Sequence, residues 1–133
     1  MVDCVFCKIA EKEIPSEKIY ENKSFFSIYD HKPEVEGHAL IISKKHFETV
    51  LNLPDTLGKQ LIDAIKHTTL VLIKKYSLKG FDVISNNMKV GGQAVPHVHF
   101  HIIPRREGDS FRAWNLKERI KGFNKSMILS EDK

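Results

Sequence analysis

The run His97-Val98-His99-Phe100-His101-Ile102-Ile103 alternates polar and apolar side chains with a period of two. That period belongs to a β-strand with one buried face, whereas a helix scatters the same residues around its circumference. The chain must then bury Val98, Phe100 and Ile102 and turn His97, His99 and His101 together to the opposite side. Three imidazoles on one face supply donors, acceptors and nucleophiles that ordinarily titrate near neutral pH. Three readings are open at this point. The face is an exposed surface without chemistry, or a metal site, because His-x-His on a strand holds zinc or iron, or a site where imidazole itself reacts.

The rest of the chain supplies partners for this strand. Asp3 caps a helix over residues 4–12, which the Ile14-Pro15 pair ends. Strands follow over 19–21 and 25–29, with Asn22-Lys23 as the turn between them. Residues 30–37 read as a loop, and 38–43 as a strand entered from Gly37. Pro54-Asp55 opens one long helix over 56–76, whose Leu57, Leu61, Ile65, Thr68 and Leu72 form an apolar stripe at helical spacing. Residues 81–85 read as a fourth strand, 86–96 as a glycine-containing loop, and 97–103 as the fifth strand. A helix is expected over 112–123, closing a single domain of residues 1–123, with 124–133 as a flexible tail. Hairpin-joined strands interrupted by one major helix predict an α+β fold with a five-stranded antiparallel sheet. One sheet face takes the helix, and the other face or an edge strand is left for a partner subunit.

Composition narrows the setting. At 133 residues the chain is long enough to bury one core. The net charge of +4 suits an anionic substrate, although many unspecialised proteins share it. With Asp3, Lys8, Glu11 and Lys12 the first residues do not resemble a signal peptide, and the apolar stretches at 39–42 and 70–73 are too short to cross a bilayer. A cytoplasmic protein without membrane or nucleic-acid partners is expected. In that compartment Cys4 and Cys7 read as metal ligands, a redox pair or buried thiols before they read as a structural disulfide.

Immediately before the histidine strand stands Gly91-Gly92-Gln93-Ala94-Val95-Pro96. Paired glycines let backbone approach a ligand and expose N–H groups, and Gln93 can donate to a phosphoryl oxygen, so the segment is a candidate oxyanion cradle. The stretch from Gly92 to Ile103 closely resembles the signature of the histidine triad superfamily, His-φ-His-φ-His-φ-φ with φ apolar. Cys4-Val5-Phe6-Cys7-Lys8-Ile9, Glu13-Ile14-Pro15, the loop from Asp30 to His38, and Lys44-Lys45-His46 also resemble family features in the family's order, over about residues 3–106.

That resemblance implies an enzyme cleaving the α-phosphorus bond of purine nucleoside phosphoramidates or dinucleoside polyphosphates through a covalent nucleotidyl-histidine. His99 is implied as nucleophile, His101 as the group that contacts phosphate and helps protonate the leaving group, and His38 as support for His101. Asp30 is implied at the ribose hydroxyls and Asn86 near ribose and phosphate. Phe6, Ile9, Ile14, Ile28, Tyr29 and His31 fall where the family lines its base pocket. Some members complete a structural Zn²⁺ site with two further histidines, here His46 and His97 beside Cys4 and Cys7. No metal is required at phosphorus. The family generally forms homodimers. Ala94 departs from branches that carry a hydroxyl after the glutamine.

Two other classes remain as comparison. A mononuclear metalloenzyme using His97 and His99 lacks a suitable acidic ligand after the strand and leaves Cys4 and Cys7 without a role. A nucleotide-binding regulator with little turnover has no need of a nucleophile at His99.

Overall fold

The computed structural model describes residues 4–112. The helix expected over 112–123 and the tail at 124–133 therefore fall essentially outside the described residues, and the cap of the first helix, expected from Asp3, is Cys4. Five strands, β1 (Lys18–Glu21), β2 (Phe25–Tyr29), β3 (Ala39–Ser43), β4 (Gly80–Ile84) and β5 (His99–Arg105), form one antiparallel sheet in the order β1-β2-β3-β5-β4. The short α1 (Val5–Ala10) and the long α2 (Gly58–Tyr76) flank it.

Period-two alternation decides which face each helix covers. Pairing sets Phe25 opposite Ser43, Ser27 opposite Ile41 and Ile41 opposite Phe100. Phe25, Ala39, Ile41, Phe100 and Ile102 thus share one face and join Val98 and the α2 residues Ala64 and Leu72 in a buried cluster. Leu57, Leu61 and Ile65 pack against it, as the stripe predicts. Thr68 fits an apolar face because its hydroxyl donates to Ser27 Oγ at 2.7 Å. Leu72→Ala leaves a cavity at a fully buried position, and is expected to cost about 2–5 kcal/mol in urea denaturation.

The other face carries Phe26, Ile28, Leu40 and Ile42, on which Phe6 and Ile9 of α1 pack. Register places Leu40 opposite His101 and Ile42 opposite His99, so both imidazoles lie on the α1 side.

Several boundaries differ from the sequence expectations, each for a local reason. Residues 55–57 form a 3-10 turn before α2, and Ser77 ends the helix in the left-handed region with φ 54°. α1 is shorter than expected because Cys4 is its cap, its sulfur accepting the Cys7 N–H at 3.4 Å, and because Lys12 turns to φ 65°. β5 begins at His99, not His97. A three-residue turn centred on Pro96, closed by the His97 N–H on the Val95 carbonyl at 2.8 Å, lifts His97 out of the pleat. Gly37, at φ +88°, admits the chain to β3, where a Cβ would stand 2.9 Å from the Tyr76 ring.

Candidate active site

A cavity of about 730 Å³ opens on the α1 side of the sheet between α1, the 30–37 loop and the 86–96 loop. His99 and His101 project into it from β5, and Asp30, Asn86 and Gly92 border it. Of the residues expected around a base, Phe6, Ile9, Ile14 and Ile28 form its apolar end. Tyr29 reaches the cavity from the opposite sheet face, where it packs on the α2 cluster and accepts a hydrogen bond from Lys75 at 3.3 Å. His31 stands at the rim with its side chain 89% exposed. Ser16, Lys32 and Leu40 also line the cavity. The sequence reading did not single them out, although the pairing of Leu40 with His101 follows from strand register.

Hydrogen bonding fixes the imidazole tautomers by elimination. His99 Nδ1 lies 2.7 Å from the His97 carbonyl. A carbonyl only accepts, so Nδ1 carries the hydrogen and Nε2 keeps its lone pair. Burial also pushes the His99 pKa down, against the opposing effect of the His97 carbonyl, and favours the neutral ring. His38 is fully buried, and its Nδ1 accepts the Glu34 N–H at 3.0 Å. Its Nε2 therefore holds a hydrogen, which it donates to His101 Nδ1 at 2.9 Å, with Asp30 Oδ2 at 3.5 Å. His101 must then carry its own hydrogen on Nε2. The strand thus sets a lone pair on His99 beside an N–H on His101, two residues along the same face.

The glycine segment does not form the cradle expected of it. The N–H groups of Gly91, Gly92 and Gln93 bond to the Met88, Lys89 and Met88 carbonyls at 3.0, 3.0 and 3.1 Å. Successive tight turns consume these donors inside the loop. The Gln93 side chain is committed as well, donating to the Glu48 and Val95 carbonyls at 2.6 and 3.0 Å and accepting the Met88 N–H at 2.7 Å. Gln93 holds the loop in shape and lies outside the cavity lining. Asn86 Nδ2 donates to the Gly91 carbonyl at 3.0 Å while the residue lines the cavity.

His97 belongs to a different cluster. Its Nδ1 lies 3.3 Å from Cys4 Sγ and 3.5 Å from Cys7 Sγ, and Cys7 Sγ lies 3.2 Å from His46 Nδ1. All four ligand atoms are within 4.8 Å of one another. Tetrahedral Zn²⁺ with bonds of about 2.0–2.3 Å has ligand–ligand edges of about 3.3–3.8 Å, so the Cys₂His₂ set fits that ion. The His97 tautomer also fits, because Nε2 donates to the Ser43 carbonyl at 2.8 Å and leaves Nδ1 facing the sulfurs. Burial pushes His97 down to about 4 and raises the Cys7 thiol. The atoms of Asp30, His38 and His101 are similarly close, but there a shared hydrogen already joins the two imidazoles.

The HIT domain family matches residues 11–108. This chain belongs to the HIT family. Among similar HIT proteins, an uncharacterised HIT-like protein of Methanocaldococcus jannaschii is 44% identical over 106 residues, covering 80% of this chain and 81% of that protein. HNT1 of Saccharomyces cerevisiae, named an adenosine 5'-monophosphoramidase, is 41% identical over 107 residues, covering 80% of this chain and 65% of HNT1. The crystal structure of a HIT family member from Bacillus subtilis superposes with a TM-score of 0.76 at 31% identity, covering 98% of this chain and 95% of that one. The α+β fold, with its antiparallel sheet, long helix and short helix, is the HIT fold. Among the described residues no helix is long and apolar enough to cross a membrane.

Proposed function

We propose that the chain is a nucleotide hydrolase that opens the α-phosphorus bond of a purine nucleoside phosphoramidate or dinucleoside polyphosphate through a nucleotidyl-His99 intermediate. The observation that carries this reading is the pair of tautomers on β5. His99 Nε2 offers a lone pair to phosphorus without first losing a proton, since its hydrogen is held by the His97 carbonyl. The bond from phosphorus to the leaving atom breaks with its electron pair going to the departing group. His101 Nε2–H is the donor on hand for the charge that develops there. Water then attacks phosphorus, the bond from phosphorus to His99 Nε2 breaks with its electron pair returning to the ring, and the proton water loses balances the one the departing group takes up. Asp30 borders the cavity, and a carboxylate can accept from two vicinal ribose hydroxyls, which supports ribose as its partner. The apolar end by Phe6, Ile9, Ile14 and Ile28 suits a purine face without sharp choice between bases. The name of the yeast relative is consistent with an adenosine phosphoramidate.

Intact-protein mass spectrometry after rapid, acid-free quenching with an adenosine phosphoramidate tests the reading. A transient adduct of AMP mass, with AMP release, is expected. Absence of both, with this substrate and with dinucleoside polyphosphates, leaves a nucleotide-binding protein without turnover.

Cys4, Cys7, His46 and His97 are proposed to hold structural Zn²⁺. These residues would hold the ion between α1 and the approach of β5, where it would supply a structural crosslink. One equivalent of zinc by elemental analysis is expected, falling to none in Cys7→Ser. A homodimer is also proposed. β4 is an edge strand, and its Phe81 and Val83 are 41% and 42% exposed. Light scattering is expected to give twice the chain mass for the wild type and the single chain mass for Phe81→Lys. Cytoplasmic residence is part of the same proposal.

A further inference from the structure

Cys4 and Cys7 bracket two residues with a different task. Val5 and Phe6 line the substrate cavity, and Ile9 lines it one turn later. A six-residue helix and its cap thus turn two sulfurs toward His46 and His97 and their apolar side chains toward the base end of the cavity. Phe6 stands between the two clusters, its ring meeting His97 edge-on at 5.7 Å and His99 at 5.1 Å.

The two sides of the cavity are anchored by different forces. A helix as short as α1 does not persist on its own hydrogen bonds, since isolated helices below about 12 residues are marginal in water. Its first turn is held by the Cys4 sulfur on the Cys7 N–H, by the sulfur contacts to imidazole, and by Phe6 and Ile9 resting on the sheet. The phosphate side needs none of these. His97 is tied to the Ser43 carbonyl at 2.8 Å, the Val98 N–H to the Phe47 carbonyl, and β5 pairs with β3 through His99 and His101. Emptying the four-ligand set is expected to loosen the α1 wall and to leave the reactive strand in register, since β5 keeps its own pairing with β3.

We infer that the thiolate–imidazole centre controls recognition of the base: Cys4 and Cys7 are positioning residues for Phe6, and metal occupancy sets how firmly the cavity grips a purine while ribose and phosphate are gripped regardless. This inference rests on the nucleotide reading above. It separates two halves of one ligand, so a ligand lacking its base is the control.

The experiment compares protein carrying one equivalent of zinc, cleared of excess, with zinc-stripped protein and with Cys7→Ser. Affinities for AMP and for ribose 5-phosphate are measured by calorimetry, and amide hydrogen exchange is followed across residues 5–10. Zinc is expected to tighten AMP by about tenfold or more, the size expected for restoring an apolar wall. Ribose 5-phosphate is expected to change by no more than roughly twofold, while exchange in α1 slows. Phe6→Ala in the zinc-loaded protein is expected to weaken AMP to the zinc-stripped level and leave ribose 5-phosphate unmoved. AMP affinity indifferent to zinc overturns the inference, as does an equal loss for both ligands. Zinc-loaded protein that binds neither ligand overturns the nucleotide reading instead.

Discussion

Replacing His99 by glycine is expected to lower kcat/KM by a factor of about 10⁴ or more and to abolish the nucleotidyl adduct, with AMP affinity retained. The size follows from what is lost. Without the imidazole, water must displace the leaving group in one step, and the covalent route that divides the barrier disappears. Binding survives because the base wall and Asp30 come from other elements. Glycine leaves the space of the ring open, so added imidazole is expected to restore part of the turnover, whereas a variant that had lost its fold gains nothing. In the wild type, burial of His99 moves its pKa below the ordinary histidine value. A nucleophile of this kind works deprotonated, so activity is present above that lowered pKa and is lost as pH falls through it. The acid limb of kcat/KM is expected below about 6.5. An acid limb above that value contradicts the assignment.

Legibility in the sequence followed the range of each interaction. β2 and the end of α2 were plain because Phe25–Tyr29 is a short aromatic and aliphatic run entered from the Asn22-Lys23 turn, and the α2 stripe has its own period. The pairing of His99 and His101 on one face likewise needs only a period of two. His97 broke that pattern because a turn at Pro96 precedes the strand, and the pull on its ring comes from Cys4, ninety-three positions away. The glycine loop misled for a related reason. Gly91 and Gly92 do permit tight backbone, but whether their N–H groups face a ligand or the Met88 and Lys89 carbonyls depends on loop path, not composition. Gln93 was drawn into the same loop through Glu48, a contact no local reading contains. The cap on α1 was obscure because a thiol takes the place usually filled by a hydroxyl or carboxylate. The resemblance to the histidine triad signature supplied the grouping of His38, Asp30 and His46 with the strand; hydrogen bonding supplied the tautomers of His38, His97, His99 and His101.

His101 is where hydrogen bonding makes its most discriminating demand. The chain from the Glu34 N–H through His38 to His101 leaves a neutral imidazole with its hydrogen on Nε2, so His101 is a fixed donor beside the reacting atoms. Removing such a donor from a water-poor site typically costs about 10²–10³ in kcat, and His101→Ala is expected to lose that much with an amine leaving group. The loss is expected to shrink to about tenfold when fluoride, which departs with little help, replaces the amine. His101→Gln separates a donor from a titrating acid. Its amide oxygen can accept the His38 N–H while its amide nitrogen donates into the cavity, so it keeps both bonds without being able to give up a proton. Turnover in the glutamine variant well above that of alanine supports a neutral donor, and glutamine as poor as alanine requires proton transfer from His101. Thermal denaturation of both variants accompanies the kinetics, because alanine leaves the buried His38 N–H without its imidazole acceptor, a defect worth about 1–3 kcal/mol. A large loss of turnover in alanine at full thermal stability, insensitive to the leaving group, would place His101 at the non-bridging phosphoryl oxygens instead.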